Sequence, residues 1–193
     1  MTFPNDELLI TQIRGGDIKA LETLYDKYKT QIYRTALAVT RDQLAAEDIL
    51  QDTFLRLHAN VHRLDGSVPI APWLHRVTVN LSYNWHARDR RWVHSLEGVI
   101  ENLVGSGQRS LYRQAEHAEL QDVVHKAIST LSFNQRVVVV LFYLGSFSLE
   151  EIAYILDCPV GTVKSRLHYA RHNLRRWLER EGYWRPEVAY EFS

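Results

Sequence analysis

One stretch of the chain gathers side chains that bond nucleobase edges and neutralise phosphates. Between Val160 and Arg180 lie Lys164, Arg166, Arg171, Arg175, Arg176 and Arg180, opposed by Glu179 alone. At about 100° per residue, Val163, Leu167, Ala170, Leu174 and Leu178 form one helical stripe. Ser165, His168, Tyr169 and His172 fall opposite, flanked by Lys164, Arg171 and Arg175. Lys, Ser and His reach base edges in a DNA major groove, while flanking arginines suit phosphates. The plain alternative is an amphipathic helix pair with a solvated basic face. The concentration of charge on the outer face favours DNA.

The elements around that helix complete a DNA-reading unit. Ser148 and Glu151 form a capping-box pattern that starts a helix at Leu149, with Leu149, Ile152, Ala153 and Leu156 inward. Asp157-Cys158-Pro159 makes a short turn before the basic helix. Helix, tight turn and helix are the parts of a helix-turn-helix. A second basic cluster is Arg88, Arg90 and Arg91, against Asp89. Acids gather apart from both, at Glu47, Asp48 and Asp52. The distribution predicts two DNA-facing patches and an acidic face for a protein partner.

Bulk composition narrows the class. The chain has 193 residues, 46% hydrophobic and 24% charged, an ordinary globular balance. Its 23 basic and 23 acidic residues cancel, which argues against a tight free-standing DNA binder. The single cysteine, Cys158, excludes an internal disulfide framework and a multi-cysteine zinc site. The acidic start lacks a signal-peptide pattern, and no apolar run approaches the ~20 residues of a membrane span. A cytoplasmic protein without membrane insertion is expected.

Nearly every periodic segment reads as helix, so the expected fold is all-α. Helices are predicted at 6–14, from Asp17 through Tyr28 with a continuation or restart to Val39, at 44–57 and at 73–91. Asp65-Gly66-Ser67 with Pro69 and Pro72 marks a loop. Periodicity fades between Ser95 and Gln114, among Gly98, Gly105 and Gly107. The reading is two small helical domains, 1–94 and 116–181, joined by a linker at 95–115. Residues 182–193 form an aromatic tail. In the second domain, helices are expected at 116–129 and 134–144 before the helix-turn-helix.

The segment LSFNQRVVVVLFYLGSFSLEEIAYILDCPVGTVKSRLHYARHNLRRWL resembles the C-terminal DNA-binding domain of bacterial sigma factors of the extracytoplasmic-function (ECF) type. Gln135-Arg136, Gly145, Glu151-Ile152-Ala153, Gly161 through Leu167, Ala170-Arg171 and Leu174-Arg175 carry the likeness. Ser132 stands where the family often has proline. ALETLYDKYKTQIYRTALAVTRDQLAAEDILQDTFLRLH is similar to the start of the sigma domain that grips RNA polymerase. PWLHRVTVNLSYNWHARDRRW is similar to its promoter-melting segment. Asn84 stands where the family often has aspartate.

The resemblance implies roles. The face Lys164, Ser165, Arg166, His168, Tyr169, Arg171, His172 and Arg175 would meet the promoter −35 element. Asn80, Tyr83, Asn84, Trp85, Arg88, Arg90 and Arg91 would hold melted −10 DNA, with His86 adding stacking surface and the loop from Asp65 to Pro72 as pocket rim. Glu47, Asp48, Gln51, Asp52 and Phe54 would dock on the clamp helices of the largest polymerase subunit, Phe54 as aromatic anchor. Burial of Phe54, Trp73 or Trp85 in the core is the plain alternative. Core RNA polymerase, including the flap of its second-largest subunit, promoter DNA and an anti-sigma factor are the implied partners. The chain would be a promoter-specificity subunit with no cofactor and no catalysis of its own. The rival is a helix-turn-helix repressor or activator with a sensory N-terminal domain. An enzyme would need a motif that is missing: HExxH, CxxC and Gly-rich phosphate loops are all lacking.

Overall fold

A computed structural model describes residues 5–64, 69–96, 123–124 and 126–183, and for residues 90–96 the backbone alone. The linker from 97 on, most of the expected 116–129 helix, the loop at 65–68 and the tail from 184 lie outside the described residues. So do the side chains of Arg90 and Arg91.

Regular structure among the described residues is helical throughout. The helices are α1 (Asp6–Arg14), α2 (Ile18–Thr40), α3 (Gln43–Asn60), α4 (Ile70–Leu96), α5 (Phe133–Val139), α6 (Leu149–Leu156) and α7 (Val160–Arg180). Residues 123–124 and 126–129 are also helical. Local chemistry sets the boundaries. The Asp17 carboxylate accepts from the Lys19 N–H at 2.8 Å and opens α2. That helix then runs unbroken for 23 residues, through the point where a restart was open. It ends at Arg41 in the left-handed region (φ 65°), and Asp42 accepts from the Ala45 N–H at 2.7 Å to start α3. α4 begins three residues before the expected Trp73, so Pro72 lies in its first turn. Proline is tolerated there because its missing N–H would have had no helical partner.

Helices α1 to α4 enclose one core of Leu9, Ile10, Leu24, Ile32, Leu57 and Leu74. A neighbouring cluster holds Ala36, Ala46, Ile49 and Leu81. The Asp6 carboxylate straps α1 to α2, accepting from Tyr28 Oη at 2.6 Å and Lys27 Nζ at 2.7 Å. Burial, then that carboxylate, pushes the Tyr28 hydroxyl up from its usual pKa.

The second half buries Val137 to Leu141, Ile152, Ile155, Val163 and Leu167. The same cluster takes in Val39 of α2 and Val79 of α4, so the halves share a core. Polar contacts reinforce the joint. Arg136 Nη1 donates to the Val39 carbonyl at 2.9 Å, satisfying an acceptor at the C-terminal end of α2. Arg76 Nη1 donates to the Tyr154 carbonyl at 3.0 Å and Nη2 lies 3.3 Å from the Asp157 carboxylate. His75 is fully buried, its ring edge-on to Phe147 at 4.7 Å. Burial lowers its pKa to about 4. Gly145 permits the return of Phe147: a Cβ there would sit 2.6 Å from the Phe147 ring and 2.7 Å from the Leu141 carbonyl oxygen.

Candidate nucleic-acid interface

The helix-turn-helix is assembled by short-range bonds. The Ser148 hydroxyl oxygen accepts from the Glu151 N–H at 3.2 Å, and the Glu151 carboxylate accepts from the Ser148 N–H at 2.8 Å. This reciprocal cap starts α6, which buries Ile152, Ala153 and Ile155. Asp157 ends α6 in the left-handed region (φ 50°), which a short polar side chain tolerates. Cys158 packs half-buried on the shared core. α7 then buries Val163, Leu167 and Ala170.

The opposite side of α7 is open. Lys164, Ser165, His168, Tyr169, Arg171, His172 and Arg175 are exposed, and Arg166 is half-buried. Ser165 Oγ donates to the Thr162 carbonyl at 3.0 Å, which leaves its lone pairs to accept. Arg171 Nε donates to Tyr143 Oη at 2.9 Å. Arg175 pairs with Glu179 at 2.8 Å, so part of its charge is balanced within the helix.

α4 presents a different surface. Asn80, Asn84 and Arg88 are exposed at four-residue spacing along one side. Tyr83 is half-buried and donates its hydroxyl to Asn134 Oδ1 at 2.7 Å. His86 stacks on Phe133 at 4.3 Å. Both rings therefore face the C-terminal half. Tyr83 lies close enough to Arg166 for that charge to oppose the rise that burial imposes on its pKa. Trp85 packs against the Ala36, Ala46, Ile49 and Leu81 cluster, with part of its surface still accessible. Trp73 is likewise half-buried against the first core.

On α3, Glu47, Asp48, Gln51 and Asp52 are exposed, whereas Phe54 is 7% exposed and sits edge-on to Tyr25 at 4.8 Å. Phe54 is thus largely buried, yet together with Tyr25 it lines the groove between α2 and α3. Further apolar surface comes from the exposed Ile18, Leu44 and Leu55. A groove of about 790 Å³ runs between α2 and α3, with Ile18, Leu50 and Leu55 among its walls and Glu47 and Gln51 at hand. Asp48 and Asp52 line another cavity, about 270 Å³, together with Trp85 and Arg88. Glu47 therefore borders the groove, Asp48 and Asp52 the other cavity, and Gln51 both. A third, strongly apolar groove of about 450 Å³ lies on the C-terminal half, bounded by Val124, Ile128, Tyr143, Leu144, Leu178 and Tyr183.

The Sigma-70 region 2 model matches residues 24–93, spanning the end of α2's first turns through α4, and the Sigma-70 region 4 model matches residues 121–174. The ECF RNA polymerase sigma factor SigW of Bacillus subtilis is 32% identical over 180 residues, covering 88% of this chain and 94% of that protein. The chain belongs to the ECF RNA polymerase sigma factors. The ECF sigma-E factor of Escherichia coli K12 is 31% identical over 175 residues, covering 86% and 90% of the two chains. The sigma factor RpoE of Bartonella quintana, solved with the anti-sigma factor NepR, superposes with TM-score 0.67 at 27% identity, covering 83% of this chain and 98% of that one. CnrH, solved with the cytosolic domain of CnrY, shares the fold, with TM-score 0.66 at 24% identity over 91% of this chain and 98% of that one.

This ECF sigma factor is thus an alternative sigma factor that directs promoter-specific transcription initiation. Among its described residues, no helix is long and apolar enough to cross a membrane. Three features of its surface escaped sequence reasoning. The α2–α3 groove has no local signature, because its walls come from two helices, with Ile18 and Tyr25 on α2 and Leu50 and Leu55 on α3. The π-helical turn at Val140–Leu144 continues what periodicity reads as plain helix. The joint between the halves has no local signature, although the unpaired hydrophobes Val39 and Val79 belong to it.

Proposed function

We propose that this sigma factor contacts promoter DNA through two helices and core polymerase through two apolar grooves. The exposed face of α7, from Lys164 to Arg175, reads the −35 element; Lys164, Ser165 and His168 supply base-edge bonds and Arg171 a phosphate contact. The Asn80, Asn84 and Arg88 side of α4 holds the melted −10 strand, with Tyr83 and His86 as stacking surface once uncovered. Arg90 and Arg91 extend the charge. The observation that carries this reading is the exposed basic stripe on the second helix of a capped helix-turn-helix.

The acid-flanked α2–α3 groove receives the polymerase clamp helices. Exposed apolar side chains beside Glu47 and Gln51 suit a basic amphipathic partner, while Asp48 and Asp52 contribute charge from the other side. The apolar groove on the C-terminal half receives the flap of the second-largest subunit. The protein works in the cytoplasm with polymerase, performs no chemistry itself, and is held inactive by an anti-sigma factor.

Zero net charge fits such a division of labour, because polymerase then supplies most non-specific DNA affinity. A gel-shift series tests it. Free protein binds duplex promoter weakly, and adding core polymerase produces a tight, promoter-specific complex that initiates. Tight and specific duplex binding without polymerase would instead favour a conventional repressor or activator.

A further inference from the structure

We propose that Tyr143 is a positioning residue for promoter binding, holding the Arg171 guanidinium so that its outer fork meets a DNA phosphate. The proposal rests on reading the exposed side of α7 as the DNA-facing surface. Three observations carry it. Arg171 Nε donates to Tyr143 Oη at 2.9 Å. The guanidinium carbon lies 5.3 Å from the Phe142 ring centre and 5.7 Å from that of Tyr143. Both Nη groups of Arg171 remain without a bond among the described residues.

An arginine held by Nε and by two ring faces has lost much of its side-chain freedom before DNA arrives. Less freedom remains to be lost on binding. The two Nη groups are then left as donors suited to phosphate oxygens. Tyr143 is 55% exposed, so its hydroxyl serves no core function. It sits in the π-helical turn Val140–Leu144, whose wider winding carries position 143 away from where an α-helix would place it. The same ring walls the apolar groove on this half. Tyr143→Phe therefore keeps the ring in the groove and the cation–π contact, and deletes the hydroxyl alone.

The test is promoter binding by holoenzyme, reconstituted from the full chain and core polymerase, on a fragment from which it initiates. Tyr143→Phe, Arg171→Ala and the double variant are compared over a salt series. Release of one pre-ordered long side chain predicts a weakening of about threefold for Tyr143→Phe. Arg171→Ala weakens binding further and lowers the slope of log affinity against log salt by about one. Tyr143→Phe moves the slope in the same direction by a fraction of that, a change a merely structural residue would not cause. On the Arg171→Ala background, Tyr143→Phe has no further effect. The proposal fails if Tyr143→Phe is silent, or if its loss persists in full without Arg171. Silence of Arg171→Ala itself would remove the DNA-facing reading of that position as well.

Discussion

The two helices proposed to face promoter DNA in this sigma factor differ in what covers them. α7 is buried along one stripe and exposed along most of the rest, with Arg166 half-buried. On that polar face Arg171 is held by Tyr143 of the preceding π-helical turn. α4 is shared: Asn80, Asn84 and Arg88 are bare, while Tyr83 and His86 lie against Phe133 and Asn134 of the other half. The base-edge donors of α4 are thus accessible and its stacking rings are occupied. Tyr83 also lies near Arg166, so residues assigned to two separate promoter elements are neighbours here. One helix can be read from its own periodicity; the other can be read only with its tertiary partner.

The largest effect is expected where the face is bare. Lys164→Ala with His168→Ala should cut promoter-directed transcripts by roughly 30-fold or more, since each specific base contact contributes about 1–3 kcal/mol. Core-polymerase binding by the double variant should be unchanged; loss of that binding would remove the assignment of the face.

The acidic helix offers the next contrast. Glu47→Arg with Gln51→Arg alters the groove side of α3, and Asp48→Arg with Asp52→Arg alters the side toward α4. Either pair should weaken competition for core polymerase by about tenfold while leaving the helical fold intact. Normal competition by both pairs would rule out docking through α3. A larger loss for the groove-side pair would make the apolar groove the principal contact.

Phe133→Ser uncovers the rings of α4 and removes only a half-buried side chain from the edge of the shared core. Amide exchange across residues 76–86 should quicken about tenfold in the free protein, as expected for losing 1–2 kcal/mol of local packing. Unchanged exchange would mean that the shared cluster around Val39 and Val79 holds the joint without the ring contacts.

The smallest effect concerns His75. Its folded pKa of about 4 is below the unfolded value near 6.5, so the unfolded chain binds more protons between those values. Stability from this group is therefore complete above the unfolded pKa and falls as pH drops toward 4. The loss is about 1 kcal/mol at a pH near 5.5. Denaturant titrations should show it, and His75→Leu should flatten it.

Much of the fold is legible in the sequence because its signals are local. Asp17, Asp42 and the Ser148–Glu151 pair name helix starts through their own capping bonds, and the Val163, Leu167 and Ala170 stripe names a buried face. Ser132, in place of a common proline, still opens α5, its N–H donating to Gln135 Oε1 at 3.4 Å. Exposure on a shared helix is less legible. Phe54 lies beside acids in sequence but turns to Tyr25, since side chains two positions apart point to different helix faces. Trp85 likewise divides between the core and the cavity it shares with Asp48 and Asp52. The clasp of Arg76 on Tyr154 and Asp157 spans nearly eighty positions, beyond any periodic signal.

The central claim is that two surfaces of one chain align polymerase on two promoter elements. It is tested most directly by run-off transcription with purified core polymerase on a library randomised at both elements. Wild type is compared with Lys164→Ala/His168→Ala and with Asn80→Ala/Asn84→Ala. The account predicts that wild type selects two sequence blocks, that the first variant relaxes only the upstream block, and that the second relaxes only the downstream one. Relaxation of the same block by both variants, or no promoter-dependent transcript from wild type, would contradict it.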